Sequence, residues 1–405
     1  DDLVLTYNLT SSGLIPNTRI PIPTGSGTFN YDVDWDNDGV FDSMGVTGDA
    51  THDYDAPGRY TIRIRGQLAH MDLSKTGYDR DLAEVVEVHQ WGNIPWRSMH
   101  AMFFLCQTNR VTATDAPDLS RVTDMSEMFR GNWAMNAPVN HWDVSNVQNM
   151  HRLFNSAKTF DQPLDNWNVS NVTDMSEMFN FAEAFNQDIT GWNTSKVTTM
   201  NRMFARAFVF DQPIGVWDVG NVTDFQKMFL AAYVFNQPLA AWDTSSVIDM
   251  TEVFNEATTF NQPLNAWDTS NVTSMQGMFD GATAFNQPLD SWDTSLVTDM
   301  TRIFMGASSF NQDIGTWNIR SVGEGHGRTM SNMFVSSGLS QANYDKALIG
   351  WASQVGTTEE ERNGFPKGVE LDVGSLNYCD GEAARAELMG NHGWSIDDGM
   401  MKVCR

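Results

Sequence analysis

Hydrophobic and polar positions along this chain follow two rhythms. Up to about residue 90 the rhythm is two. Thr28 to Asp36 (TFNYDVDWD), Arg59 to Gly66 (RYTIRIRG) and Ala83 to Trp91 (AEVVEVHQW) alternate apolar with polar side chains, the mark of a strand with one buried face. The turn signal Ala56-Pro57-Gly58 stands just before the second run. These runs predict a small antiparallel β-sandwich over residues 1–90.

Further on the rhythm is 25 residues. Tryptophan recurs at Trp142, Trp167, Trp192, Trp217, Trp242, Trp267, Trp292 and Trp317, and phenylalanine at Phe129, Phe154, Phe179, Phe204, Phe229, Phe254, Phe279 and Phe304. A second phenylalanine column runs from Phe160 to Phe310, and Trp267 to Ser291 (WDTSNVTSMQGMFDGATAFNQPLDS) is a representative unit. A fixed period of this length predicts stacked structural repeats. Within Val172 to Ala182 (VTDMSEMFNFA), apolar residues fall at i, i+3, i+6, i+7 and i+10, the stripe of a short amphipathic helix capped by Thr and Asp. Leu164 to Val172 fits the L-x-x-L-x-L spacing of a leucine-rich-repeat strand. A competing register places the strand on Phe260 to Leu264, against which Pro263 argues. Either register predicts an α/β solenoid, a right-handed coil of short strand plus short helix, over residues 91–335. Residues 91–141 are its degenerate, capping repeats. The helical pattern of Ser340 to Gln354 and the glycine-rich turns beyond Val369 predict an α-containing cap over residues 336–405.

Composition narrows the function more than the fold. A net charge of −26 excludes general nucleic-acid binding, which needs a cationic footprint. No apolar run is long enough to span a bilayer, so membrane insertion is not expected. The chain opens DDLVLTY, without a signal peptide, and reads as a mature or excised segment. So acidic a surface suits salty surroundings or divalent cations, and it also serves plain solubility. Of three cysteines, Cys379 and Cys404 lie close together in the sequence and can bridge the cap. Cys106 is left over, either buried or available to pair between molecules.

Two stretches resemble known families. Tyr31 to Phe41 with His52 to Gly66 (YDVDWDNDGVF…HDYDAPGRYTIRIRG) is similar to polycystic-kidney-disease-type (PKD) domains, through Trp35 and its acidic neighbours, His52, Tyr54, Pro57-Gly58 and Tyr60. The units near F-N-Q-x-I-x-x-W-D-T-S-x-V-x-x-M-x-x-M-F resemble the BspA-like leucine-rich-repeat surface proteins of bacteria. NYDKALIGWA, LDVGSLNYC and GWSIDDGMMKVC look like the terminal region that often follows those units. The resemblance implies an extracellular or cell-surface location and an adhesive role. The partner it implies is a protein or glycan on another cell surface, or a second copy of the chain as in a homodimer. It implies no particular ligand.

Three groups of side chains carry candidate chemistry. Asp34, Asp36, Asp38 and Asp42 form D-x-D-x-D-G-x-x-D around Gly39, a spacing that can bring carboxylates onto Ca²⁺. The same residues also suit an acidic hairpin tip. Asp218, Asp243, Asp268 and Asp293 each follow a column tryptophan. At a spacing of about 5 Å, two such charges repel by about 0.8 kcal/mol in water and about 3 kcal/mol at intermediate dielectric. Either a cation or ligand meets this column, or each aspartate caps its own turn by accepting N–H groups two residues on. The FNQ columns, including Asn261, Gln262, Asn286 and Gln287, predict amide ladders at the unit corners. Eight scattered histidines, His326 in its glycine-rich insertion among them, form no recognisable catalytic motif, so an enzyme is not expected. The reading is a calcium-assisted adhesion module, with a rigid spacer as the alternative.

Overall fold

A computed structural model describes residues 1–10, 17–76, 84–108, 110–323 and 329–402. It divides into two compact units, Asp1–Val197 and Thr198–Arg405, and the cut falls within the 25-residue repeats.

The first unit opens on β-structure. Strand β1 (Leu3–Leu9) is buried along almost its whole length, because β6 (Gly58–Leu68) and β7 (Glu84–Gln90) both pair with it antiparallel. Strands β2 (Arg19–Ile22) and β5 (Ala50–Asp53) pair as a separate two-stranded sheet. Strands β3 (Phe29–Asp34) and β4 (Ser43–Val46) form a hairpin that joins the main sheet through β6. Val33, Ile62 and Ile64 are fully buried, as period-two alternation demands, whereas β7 is buried continuously from Val85 to Val88, where its pairing with β1 shifts register. The sheet is not purely antiparallel, as the sequence suggested. A short strand β8 (Arg110–Val111), from beyond residue 90, pairs parallel with β7 and gives a mixed six-stranded order β4-β3-β6-β1-β7-β8.

The repeats correct a larger expectation. Between residues 112 and 339 the described chain holds no α-helix and no named strand, only turns, isolated bridges and one 3₁₀ turn at Ile214–Val216. The expected strand-plus-helix α/β solenoid is therefore not what these residues form. The reason lies in the segment that carried the helical stripe. Glu127 and Gly131 are left-handed, with φ of 58° and 72°, and so are their equivalents in other units: Arg152 and Ser156, Lys227 and Ala231, Glu252 and Glu256. Two left-handed residues four apart break a right-handed helix into successive tight turns. The N–H groups then alternate in use. Met128, Arg130 and Asn132 donate three residues back, to Met125, Glu127 and Phe129, whereas Met125, Glu127, Phe129 and Gly131 donate to Asn149, His151, Leu153 and Asn155 of the next repeat. Parallel bridges fall in this same segment, at Asp124–Asn149–Asp174 in the first unit and at Thr199–Asp224–Asp249–Ser274–Asp299 in the second. Neither predicted strand register is adopted.

The interior is aromatic. Phe129, Phe154 and Phe179 stack in the first unit with centroids 5.6 and 5.8 Å apart. Phe204, Phe229, Phe254, Phe279, Phe304 and Phe334 form a stack of the same kind within the second, 5.6–5.9 Å apart. The tryptophans are buried beside them, and beyond Trp142 they put the indole N–H to use. Trp167 and Trp192 donate to the Val139 and Leu164 carbonyls; Trp242, Trp267, Trp292 and Trp317 donate to those of Ile214, Leu239, Leu264 and Leu289. The FNQ corners form the expected amide ladder. Asn236 Oδ1 accepts from the Asn261 N–H, Asn261 Oδ1 from that of Asn286, and Asn286 Oδ1 from that of Asn311.

The second unit ends in a cap of α1 (Gln341–Ala352), the single-turn α2 (Glu359–Asn363), α3 (Glu382–His392) and a parallel pair β9 (Glu370–Asp372) and β10 (Ser395–Asp397). β9 takes over the repeat ladder: Met330 bridges to Leu371, and the Phe334 N–H reaches the Asp372 carbonyl. Ser340 caps α1 and donates its own N–H to Asn311 Oδ1, which ends the amide ladder. A half-buried ion pair pins α3, where Arg385 grips Asp398 through both carboxylate oxygens at 2.8 and 2.7 Å. Tyr344 of α1 donates to the same carboxylate.

Candidate functional site

The acidic turn lies between β3 and β4. Asp34 ends β3 fully buried, while Asp36, Asp38 and Asp42 are exposed. Asn37 (φ 59°) and Gly39 (φ 93°) reverse the chain. The turn is held by its own carboxylates. Asp34 accepts from the N–H groups of Asp38 (3.2 Å) and Gly39 (2.9 Å), Asp38 from that of Val40 (2.8 Å), and Asp42 from that of Trp35 (2.9 Å). Carboxylate oxygens of Asp34, Asp36 and Asp42 lie within 4.8 Å of one another, and Asp38 is not one of that group. Desolvation, followed by the charges of Asp38 and its neighbours, pushes the Asp36 carboxyl upward despite the Asp38 N–H it accepts. Each accepting oxygen keeps a lone pair, so the three side chains fit a hard cation that takes its remaining oxygens from water or main chain. The aromatic side chains Trp35, His52, Tyr54 and Tyr60 assemble beside this turn. Trp35 stacks on His52 (5.2 Å), His52 meets Tyr54 edge-on (4.6 Å), and Tyr54 stacks on Tyr60 (3.7 Å). The Tyr54 hydroxyl donates to the Trp35 carbonyl.

The aspartate column follows the turn-cap pattern. Oδ1 of Asp218, Asp243, Asp268 and Asp293 accepts the N–H of Gly220, Ser245, Ser270 and Ser295 at 2.9–3.1 Å. The Ser245 hydroxyl and N–H hold Asp243 below the usual carboxylate range, and those of Ser270 do the same for Asp268. Asp243 slightly opposes the shift at Asp268, so local hydrogen bonds outweigh repulsion between neighbouring units. Oδ2 of Asp243, Asp268 and Asp293 accepts no hydrogen bond among the described residues. The threonine between Asp and Ser ties units together: Thr244 and Thr269 donate to the Asp268 and Asp293 carbonyls.

Elsewhere the residues are placed as follows. Cys379 is disulfide-bonded, whereas Cys404 and His326 lie outside the described residues. The second carboxylate–thiol group, Asp345 with Cys379 and Asp380, is therefore no metal site, because its sulfur is already bonded. Asp345 Oδ1 instead accepts the Cys379 and Gly381 N–H groups. Cys106 is buried, with its thiol pushed up to about 12 by burial, so it offers no sulfur for pairing between molecules.

Several polar arrangements were not anticipated. His151 Nδ1 lies 2.7 Å from Ser176 Oγ, and His100 Nδ1 lies 2.8 Å from Ser126 Oγ. Ser176 commits its hydroxyl proton to Asp174, so the imidazole N–H must donate to the serine oxygen. That is the reverse of the base–nucleophile relation catalysis needs. The left-handed column carries charges that pair between repeats. Arg152 lies between Glu127 (3.4 Å) and Glu177 (2.7 Å). Burial would raise Glu177, but Arg152 and Asn180 hold it below its ordinary value. The alternation of Glu127, Arg152 and Glu177 at the repeat period was available in the sequence as a signal for this ladder.

No helix among the described residues is long and apolar enough to cross a membrane. A family model described as "Mycoplasma protein of unknown function, DUF285" matches residues 97–197, 163–257 and 235–347. No curated protein and no solved structure matches the chain.

Proposed function

The chain belongs to this repeat family, whose model spans residues 97–347, and from that premise we propose an extracellular adhesion module that works by contact. In this reading the repeats are BspA-like surface repeats, the N-terminal β-region is PKD-like, and the partner is a protein or glycan on another cell or a second copy. The observation that supports it is the row Asp243, Asp268 and Asp293. Local N–H groups hold one oxygen of each and leave the other unbonded among the described residues. Such a row presents fixed anions at the repeat spacing to a calcium ion or a basic partner, and calcium bridging two rows would bring acidic surfaces together. The turn of Asp34, Asp36 and Asp42 supplies a second place for the ion. Light scattering and thermal melting, with calcium and after chelation, test the reading. Calcium is expected to raise the melting temperature or the association state, and a D243N/D268N/D293N variant is expected to lose the association. Identical melting and scattering under both conditions would overturn it.

The rigid-spacer reading draws on a different observation, the uniform phenylalanine stacks and tryptophan–carbonyl bonds of the interior. Cell-binding assays and glycan arrays separate the two, because a spacer gives no reproducible specific capture.

A further inference from the structure

A pocket of about 240 Å³ lies in the C-terminal cap, between the end of α2 and the last turn of α3. It is lined by Arg362, Asn363, Lys367, Glu387, Asn391 and His392. The two helices converge because His392 ends α3. Its carbonyl accepts the Gly368 N–H, Gly393 turns the chain at φ 68°, and the Phe365 ring meets the imidazole edge-on at 4.9 Å.

His392 is the unusual member. It is 5% exposed, and neither Nδ1 nor Nε2 has a hydrogen-bond partner among the described residues. The nearest acid, Glu387, stands 3.7 Å from Nε2, beyond hydrogen-bond distance, and accepts instead from Asn391 at 2.6 Å. Buried polar side chains nearly always have a partner, so an imidazole lining a pocket with both nitrogens idle points to an absent one. The basic side chains of the rim are idle as well. Arg362 and Lys367 make no side-chain hydrogen bond or ion pair among the described residues. In a chain of net charge −26, this pocket sets two unpaired cations against a single carboxylate.

We propose that the pocket binds a small hydroxylated monocarboxylate, the size of one acidic sugar ring. The Arg362 fork matches a planar carboxylate in two parallel hydrogen bonds, and Lys367 adds its charge. His392, Asn363 and Asn391 donate to or accept from hydroxyl groups at the floor and wall. Glu387 accepts from a hydroxyl and repels a dianion, which selects against phosphate. The volume is below that of pockets for drug-sized ligands, consistent with a single ring. This proposal rests on the cap alone and is independent of the adhesive reading of the aspartate row.

Calorimetric titration of the full chain with glucuronate at fixed ionic strength tests it, with glucose, acetate and inorganic phosphate as comparison arms. Glucuronate is expected to give saturable one-site binding, with each comparison ligand at least about tenfold weaker, a factor that corresponds to 1.4 kcal/mol. R362A and K367A remove exposed, unpaired side chains, so they are expected to melt like the parent chain yet each lose about tenfold in affinity. In the parent chain, glucuronate is also expected to shift the His392 ring resonances. Absence of saturable binding, glucose or phosphate binding as well as glucuronate, or unchanged affinity in both variants would each overturn the proposal.

Discussion

At the scale of single residues, the buried indole N–H makes one tryptophan unlike another. Trp267 donates to the Leu239 carbonyl at 3.0 Å, whereas the Trp142 N–H is buried without a partner among the described residues. Trp142 opens the column, and the residues before it belong to the degenerate repeats. Phenylalanine at either site loses similar packing, but only W267F also loses a hydrogen bond, leaving the Leu239 carbonyl with the Trp242 N–H alone. Denaturant unfolding is therefore expected to find W267F more destabilising than W142F by about 0.5–1.5 kcal/mol, the net worth of one hydrogen bond. Equal losses would mean that the indoles serve only as filler. The aspartates beside the tryptophans were legible from W-D-T-S, since a short acid two residues before an N–H is a turn cap by chemistry alone. His392 was not legible, because its pocket joins residues some thirty positions apart whose nearness depends on the fold.

At the scale of the element, the apolar pattern of Val172 to Ala182 was real and its helical interpretation was not. Val172, Met175, Met178, Phe179 and Ala182 are all buried, as a helix of that phase would have buried them. A train of tight turns stacked on neighbouring repeats buries the same set. What separates the two is the left-handed residue at each fourth step. Glu127, Arg152, Lys227 and Glu252 leave no mark of it in the sequence, and the glycines of the two left-handed columns, such as Gly131, Gly277 and Gly281, are too few to announce it. A short isolated helix is marginal in water, whereas here alternate N–H groups reach the next repeat. The cost falls on the backbone and can be measured at Glu256, which is exposed at φ 57° and precedes Gly281 in its column. E256V is expected to lower stability by about 1–3 kcal/mol, since a β-branched residue tolerates that conformation worst. E256G is expected to match the parent chain or gain up to about 1 kcal/mol. Thermal melts check both, and an E256V variant as stable as E256G would remove the strain argument.

At the scale of the whole molecule, charge governs stability. A net charge of −26 works against compaction, so added salt at neutral pH is expected to raise the melting temperature. Acid acts differently. Asp143, Asp188, Asp243 and Asp268 have carboxyl groups lowered from the ordinary 3.8, first by the hydroxyl two residues on and then by that residue's N–H. Their stabilisation is complete above 3.8 and is lost as pH falls through the lower folded values. His70 contributes earlier, because burial lowers it from 6.5 and its Nδ1 accepts the Ser26 N–H. The unfolded chain therefore takes up that proton first, and stability is lost as pH falls from 6.5 toward the folded value. Melting curves against pH at two ionic strengths are expected to show a steep decline below 3.8 that salt does not abolish. A flat profile there would contradict the role given to the turn-capping aspartates.

Within each unit the backbone ladder repeats the same bonds at every joint: one segment donates forward, as Met125 does to Asn149 and Met250 to Ser274, and another donates back, as Thr173 does to Gln148 and Thr273 to Ile248. A structure built by that rule carries no internal instruction about how many members it holds. Removing or inserting one complete 25-residue period would rejoin donors to acceptors of the same kind, whereas a cut of any other size would leave them out of phase. The number of repeats is in this sense free to vary by duplication and loss within a gene, while the spacing of whatever they present stays constant. Only the two ends, where β-structure and cap meet the ladder, are tied to particular sequences.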